Sequence, residues 1–276
     1  MARRWFVPLA SLGLIFGSMI MAASAASAAP AVAHPGIHTT VYHGFTPGGL
    51  MTRPTTGEHI ATVGGRTTVE SSNWSGYAAT GANGAFTSVS ASWTQPTATC
   101  TSRTDQYAAF WVGLDGYSSD SVEQTGSDSD CDGRSDPSYY GWYEMYPADP
   151  VYYSNTVKPG DAMSASVTFS GTETYTLVLK DATQNWTQTV VQNESGFDRS
   201  SAEVITEAPC CTNSGGILPL SDFGTINYST SSANGSSLGG QNPTAIIMVD
   251  GSGRDEDSTS SISSGGAFSN TWIRSN

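Results

Sequence analysis

Histidine is missing from this 276-residue chain beyond residue 59, which is the last of its four (His34, His38, His43, His59). From Glu70 to Asn276 this excludes Ser-His-Asp and Cys-His nucleophile arrangements and His-ligated zinc, because each needs an imidazole as base or ligand. Positive charge is nearly as scarce. The same stretch holds seven basic residues (Arg103, Arg134, Lys158, Lys180, Arg199, Arg254, Arg274) against 23 acidic ones, a formal charge of −16. Nucleic acid and anionic membranes are therefore not expected partners, since binding to them rests on neutralising phosphate with Lys and Arg. In acid the carboxylates lose their charge and few cations remain to repel one another, so the composition favours acid tolerance.

Long apolar runs are absent after the first residues, and no later segment has the roughly 18 consecutive apolar residues of a spanning helix. The start itself has Arg3 and Arg4, an apolar run from Phe6 to Met21, and small-residue cleavage signals at Ala23-Ser24-Ala25 and Ala26-Ser27-Ala28. This predicts a signal peptide over residues 1–28 and an exported, soluble product. Residues 29–69 are rich in Pro and Gly and lack a sustained apolar period, which suits a disordered tail or a pro-segment. The 207 residues from Glu70 to Asn276 suit one all-β domain.

Cysteines number four, with no C-x-x-C spacing. In an oxidising compartment Cys100 and Cys131 are expected to bridge, while Cys210 and Cys211 would form a vicinal bridge or stay reduced. No window reads as an amphipathic helix. Short β-branched and aromatic runs alternate instead with Gly, Ser, Asn and Pro punctuation. They include Trp74 to Thr80, Val89 to Trp93, Tyr107 to Leu114, Tyr139 to Tyr146, Met163 to Phe169, Tyr175 to Leu179, Asn185 to Val191, Ser201 to Glu207, Leu218 to Tyr228, Ala245 to Asp250 and Ala267 to Ile273. About a dozen such strands predict an antiparallel β-sandwich without substantial helix.

Ser229 to Gly240 reads as a Ser/Gly loop, and the Gly-x-Ser-x-Gly at Gly235–Gly239 within it as a chance match, having no later histidine. Asp128 to Gly133 begins like a calcium loop, but Tyr139 stands where the bidentate Glu belongs, so an acidic surface turn is expected and no metal site. Five N-x-S/T sequons occur (Asn73, Asn185, Asn193, Asn227, Asn234), most of them attributable to the abundance of Ser and Thr.

A cofactor-free enzyme of this composition must work with carboxylates and amides. Five blocks set such groups beside aromatics: Glu70-Ser71-Ser72-Asn73-Trp74-Ser75-Gly76, Trp111-Val112-Gly113-Leu114-Asp115-Gly116, Gln124-Thr125-Gly126, Trp142-Tyr143-Glu144-Met145-Tyr146-Pro147 and Ala202-Glu203-Val204-Ile205-Thr206-Glu207. In this order and at these separations they resemble the glutamic peptidases, or eqolisins, over most of Glu70 to Asn276. The resemblance implies a sandwich of two large curved antiparallel sheets and an acid-active endopeptidase with a Gln/Glu dyad. By motif the dyad is Gln124 and Glu207, with Trp111, Asp115 and Glu144 lining or supporting a cleft. Asn73, Trp74, Trp142 and Tyr143 join them as candidate binding or supporting residues; for Trp142, Tyr143 and Tyr146, core or rim packing competes with that role.

An amide cannot titrate and can donate to an oxyanion at any pH, while an ionised Glu can take a proton from water. The implied partners are polypeptide substrates and, because these enzymes are made as precursors, the chain's own residues 29–69 as an inhibitor; a monomer is expected. Three positions depart from the family pattern: Tyr140 replaces an Asp, Glu123 an apolar residue and Val204 a frequent aromatic. Glu123 is expected to add a carboxylate beside the dyad. The competing readings are a polymer-binding sandwich without catalysis and a glycosidase pairing Glu144 with Glu207.

Overall fold

The computed structural model describes residues 50–52, 62–134, 136–210 and 216–275. Residues 1–28, read above as a signal peptide, most of residues 29–69 and Cys211 lie outside the described residues. Within them the chain forms strands and a single 3-10 turn (Leu238–Gln241), with no α-helix. In chain order the strands are β1 (Thr62–Val63), β2 (Arg66–Ser71), β3 (Trp74–Thr80), β4 (Ser88–Thr94), β5 (Ala109–Asp115), β6 (Val122–Asp130), β7 (Ser138–Tyr146), β8 (Val151–Tyr152), β9 (Ala162–Phe169), β10 (Thr174–Asp181), β11 (Trp186–Asn193), β12 (Ser201–Glu207), β13 (Thr225–Ala233), β14 (Ser236–Ser237), β15 (Thr244–Met248), β16 (Asp257–Thr259) and β17 (Phe268–Trp272).

Two sheets form the expected sandwich. One has nine strands in the order β1-β2-β15-β3-β12-β5-β6-β7-β8; the other runs β11-β10-β9-β4-β13-β17-β16, with β14 paired to β13. Pairing is antiparallel except between β2 and β15. Alternation of side chains along each strand explains the layering. Val89, Ala91 and Trp93 of β4 point inward with Met163, Ala165 and Val167 of β9 and Tyr175, Leu177 and Leu179 of β10. They meet Phe110, Val112 and Leu114 of β5 and Ala202 and Val204 of β12 from the nine-stranded sheet. The intervening serines and threonines of β4, β9 and β10 face away from this core.

Strand β5 is buried on both sides, as its continuous apolar run predicts. The reason is a second apolar cluster on the outer face of the nine-stranded sheet, built from Trp74, Ala78, Ala109, Trp111, Val122, Trp142, Ile205 and Ile246. Large aromatics are thus collected on the face turned away from the sandwich core.

Two local expectations are corrected. Asp128 and Asp130 are not in an exposed acidic turn: they end β6 and are 2% and 8% exposed. Ser229 to Gly240 is not a loop, because β13 runs through Ala233 and pairs with β14 across a turn at Asn234 and Gly235, both at positive φ. Asn73 is fully buried, so its sequon is no glycan site. The boundary drawn at Glu70 also passes through β2, which pairs with β1 and β15 at the sheet edge.

The Cys100–Cys131 bridge is present and spans 31 residues. It ties the segment after β4 to the end of β6, where Gln106 and Cys131 form an isolated bridge. In the chain-entropy account, closing a loop of this length stabilises the fold by about 3–4 kcal/mol. Cys210 is disulfide-bonded as well.

Candidate active site

Register places the candidate residues on three rungs across β12, β5, β6 and β7. The first is Glu203–Gly113–Gln124–Glu144, the second Ile205–Trp111–Gly126–Trp142 and the third Glu207–Ala109–Asp128–Tyr140. All twelve belong to the outer face. Small residues on β5 and β6 make room for large ones: a Cβ on Gly113 would lie 2.8 Å from the Trp111 ring, and one on Gly126 would lie 2.2 Å from the Phe110 carbonyl oxygen. Gly126 therefore lets β6 approach β5 closely beneath the indoles.

Glu207 ends β12 and is fully buried. Trp111 Nε1 donates to its Oε2 at 2.8 Å, and Asn73 Nδ2 donates to its Oε1 at 3.1 Å. Trp74 packs edge-on against Trp111, with ring centroids 4.9 Å apart. Asn73 is itself fixed, its Oδ1 accepting from Ser71 Oγ at 3.0 Å. On the first rung, Gln124 Nε2 donates to Glu144 Oε2 at 2.7 Å. On the neighbouring rungs, Trp142 Nε1 donates to Asp128 Oδ1 at 2.6 Å.

Burial governs the charge state of this face. It pushes the Glu144 carboxyl up to about 10, with the nearby Glu207 charge adding to the effect. Asp128 is raised well above the usual range by burial and then by Asp130 and Glu207. Asp130 is pushed to about 8 by burial. Desolvation alone disfavours each anion, and crowding of like charges reinforces it. At acid and neutral pH Glu144 is therefore a neutral acid, and Asp128 holds its proton more tightly than an exposed Asp does. Among the described residues no His/Cys/Asp/Glu cluster has the arrangement to hold a metal ion.

Two predicted residues are not brought to this face. Tyr143 alternates inward, stacks on Tyr153 and accepts from Gln192 Nε2 at 3.3 Å. Glu123 likewise points away from Gln124; it pairs across with Leu114 and Met145 and is buried, which pushes its carboxyl up to about 9. It adds no carboxylate beside Gln124 on the outer face, contrary to expectation. Asp115, at the end of β5 with φ 72°, anchors the approach to β12 by accepting from Arg199 N at 2.5 Å and Ser200 N at 2.8 Å. The residues that sequence reasoning missed are Asp128 and Tyr152 of β8, whose hydroxyl is raised first by burial and then by the neighbouring acidic groups, Asp128 and Glu144 among them. Counting by twos from Gln124 would have found Asp128.

Residues 50–52 run over the same region. Met51 N donates to Gly116 O at 3.2 Å, Thr52 N to Asn73 Oδ1 at 2.8 Å, and Asn73 Nδ2 to Leu50 O at 3.0 Å. Leu50 and Met51 pack against the outer aromatic cluster.

A two-sheet sandwich whose outer face gathers amides, indoles and protonated carboxyls around one glutamate has the form of a glutamic-peptidase fold. Residues 72–272 match the peptidase A4 family, and the chain belongs to it, the eqolisins; it is a peptide-bond hydrolase. It is 28% identical over 234 residues to aspergillopepsin-2 of Aspergillus niger, covering 75% of this chain and 81% of that protein. Among solved structures it resembles scytalido-glutamic peptidase bound to a transition state analog inhibitor, with 26% identity, a TM-score of 0.63, and coverage of 73% of this chain and 98% of the other. It also resembles SCP-B, an eqolisin in complex with the tripeptide Ala-Ile-His, at 26% identity and a TM-score of 0.59 over the same shares. The glycosidase and non-catalytic readings give way to this membership.

Proposed function

We propose that the chain is a secreted, acid-active endopeptidase in which Glu207 and Gln124 carry the chemistry. The observation behind this reading is the double N–H coordination of Glu207 by Trp111 and Asn73 on the face that also holds Gln124. A carboxylate accepts and never donates, so two fixed N–H donors suit its ionised form. Glu207 then removes a proton from the attacking water, the Gln124 amide donates to the oxyanion, and Glu207 returns the proton to the leaving amine. Neither a metal nor a covalent intermediate enters this scheme.

The test is cleavage of casein or denatured globin from about pH 2 to pH 8 by the wild type and Gln124→Ala. Activity is expected only in acid, with Gln124→Ala lowering kcat by about 10²–10³-fold, the usual cost of one oxyanion donor. Activity centred on neutral pH, or a Gln124→Ala enzyme equal to wild type, would overturn the reading.

The precursor segment fits the same scheme. Thr52 N donates to Asn73 Oδ1 and Leu50 O accepts from Asn73 Nδ2, at the amide that holds Glu207, which supports the part of residues 29–69 ahead of β1 acting as an inhibitor shed in acid. Arg66 is engaged elsewhere, binding Asn242 Oδ1 and Gly239 O at the 3-10 turn. Because β1 and β2 belong to the sheet, the cut is expected before Thr62. Full-length protein kept at neutral pH should be inactive, and incubation near pH 3 should yield a shorter, active form whose N-terminus lies between residues 53 and 62. Full activity without any shortening would refute this.

A further inference from the structure

The Gln124–Glu144 contact has a chemistry that a supporting carboxylate does not explain. We propose, building on the dyad reading, that Glu144 serves the reaction as an uncharged carboxylic acid, one oxygen fixing the Gln124 amide and the other presenting a second hydrogen-bond donor to the scissile carbonyl oxygen.

Geometry carries the argument. Glu144 is fully buried on the outer face, directly opposite Gln124 in register. Its Oε2 accepts from Gln124 Nε2 at 2.7 Å, while its Oε1 is buried with no hydrogen-bond partner. An ionised carboxylate would leave that oxygen as a naked buried anion, which is far costlier than a neutral group awaiting a ligand. The charges facing it are Glu207 from β12, Asp128 from β6 and Asp149 from the turn after β7, all acidic. Arg and Lys do not figure among them. Burial and every charged neighbour therefore favour keeping the proton on Glu144, and they outweigh the Gln124 hydrogen bond, which acts the other way.

As a neutral acid, Glu144 divides its oxygens by role. The carbonyl oxygen Oε2 receives one amide hydrogen of Gln124 and so decides which end of that amide is nitrogen. The hydroxyl on Oε1 is left as a donor beside it. Two donors side by side on one face form the arrangement that stabilises charge developing on a tetrahedral oxygen. A carboxyl kept neutral by its surroundings so that it can donate is an established catalytic device.

Glutamine has the same shape as protonated glutamate and offers the same carbonyl acceptor and N–H donor; leucine offers neither. Glu144→Gln should keep kcat within about tenfold of wild type, whereas Glu144→Leu should lose about 10²–10³-fold in kcat with KM changed only a few-fold. Difference infrared spectra of wild type minus Glu144→Gln near pH 6 should show a protonated-carboxyl C=O band. Circular dichroism establishes that both variants are folded. A folded Glu144→Gln as inactive as Glu144→Leu, a Glu144→Leu as active as wild type, or absence of the acid band would each overturn the inference. If instead Gln124→Ala or Glu207→Gln retains full activity, the dyad reading itself is lost, which the Glu144 variants alone do not report.

Discussion

Glu207→Gln should lower kcat by about 10⁴-fold or more while leaving the fold intact. The size follows from what is removed. In the proposed mechanism Glu207 is the proton acceptor for water and the proton donor for the leaving amine, and losing the central member of such a group typically costs on that scale. The substitution preserves volume and leaves Glu207's two donors, Trp111 Nε1 and Asn73 Nδ2, facing one carbonyl oxygen and one amide nitrogen instead of two acceptors. One N–H is then opposed by another, so a modest loss of stability accompanies the loss of activity. Single-turnover peptide cleavage near pH 3, with thermal unfolding measured on the same samples, separates the two effects. A folded Glu207→Gln enzyme within tenfold of wild type would remove Glu207 from the chemistry.

The second large effect is on stability against pH, and its direction is the reverse of ordinary acid denaturation. Burial holds Glu123 at about 9, Asp130 at about 8, Glu256 at about 8 and Asp257 at about 7 in the native protein. Unfolded, these groups ionise near their ordinary values, 4.5 for Glu and 3.8 for Asp. The native state therefore binds more protons than the unfolded state between those limits, and stability falls as pH rises through that window. Below about pH 4 both states are protonated and the penalty is absent. For Glu123 alone, the rise to pH 7 costs about 3–4 kcal/mol. Two or three such groups approach the roughly 5–15 kcal/mol by which a whole domain is stable.

One group runs the other way. Asp250 is held below the usual range by hydrogen bonds from Ser252 and Arg254 and pairs with Arg254 at 2.7 Å, so its contribution is lost only in strong acid. The melting temperature should therefore be highest between about pH 3 and pH 5 and fall by roughly 10–20 °C at pH 7. Glu123→Gln should raise it at pH 7 and leave it nearly unchanged at pH 4. A melting temperature that is flat or rising between pH 4 and pH 8 would contradict the buried-acid account.

What the amino-acid sequence determined by itself is what depends on composition and short-range order. The absence of histidine removed imidazole chemistry, period-two runs with turn residues between them specified strands, and the placement of Glu203, Ile205 and Glu207 on one side of β12 followed from counting. The spacing of Cys100 and Cys131 also sufficed for their bridge. Tertiary structure decided what depends on neighbours from distant parts of the chain. Gln124 and Glu144 are twenty residues apart, and only the β6–β7 register sets the amide of one against the carboxyl of the other.

The same register turned Glu123 and Tyr143 away from the site and brought Asp128 into it. Polar residues such as Asp128 and Asp130 look like a surface turn in isolation, because burying them is tolerated only once Trp142 Nε1 and the Ala108 backbone are there to donate to them. Nor could composition show that Leu50 to Thr52 engage Asn73, a contact made across residues that are local to neither strand. A strand's alternation is written within a few residues; which rung it occupies, and therefore which carboxyl keeps its proton, is settled by pairing energies summed over the whole sheet.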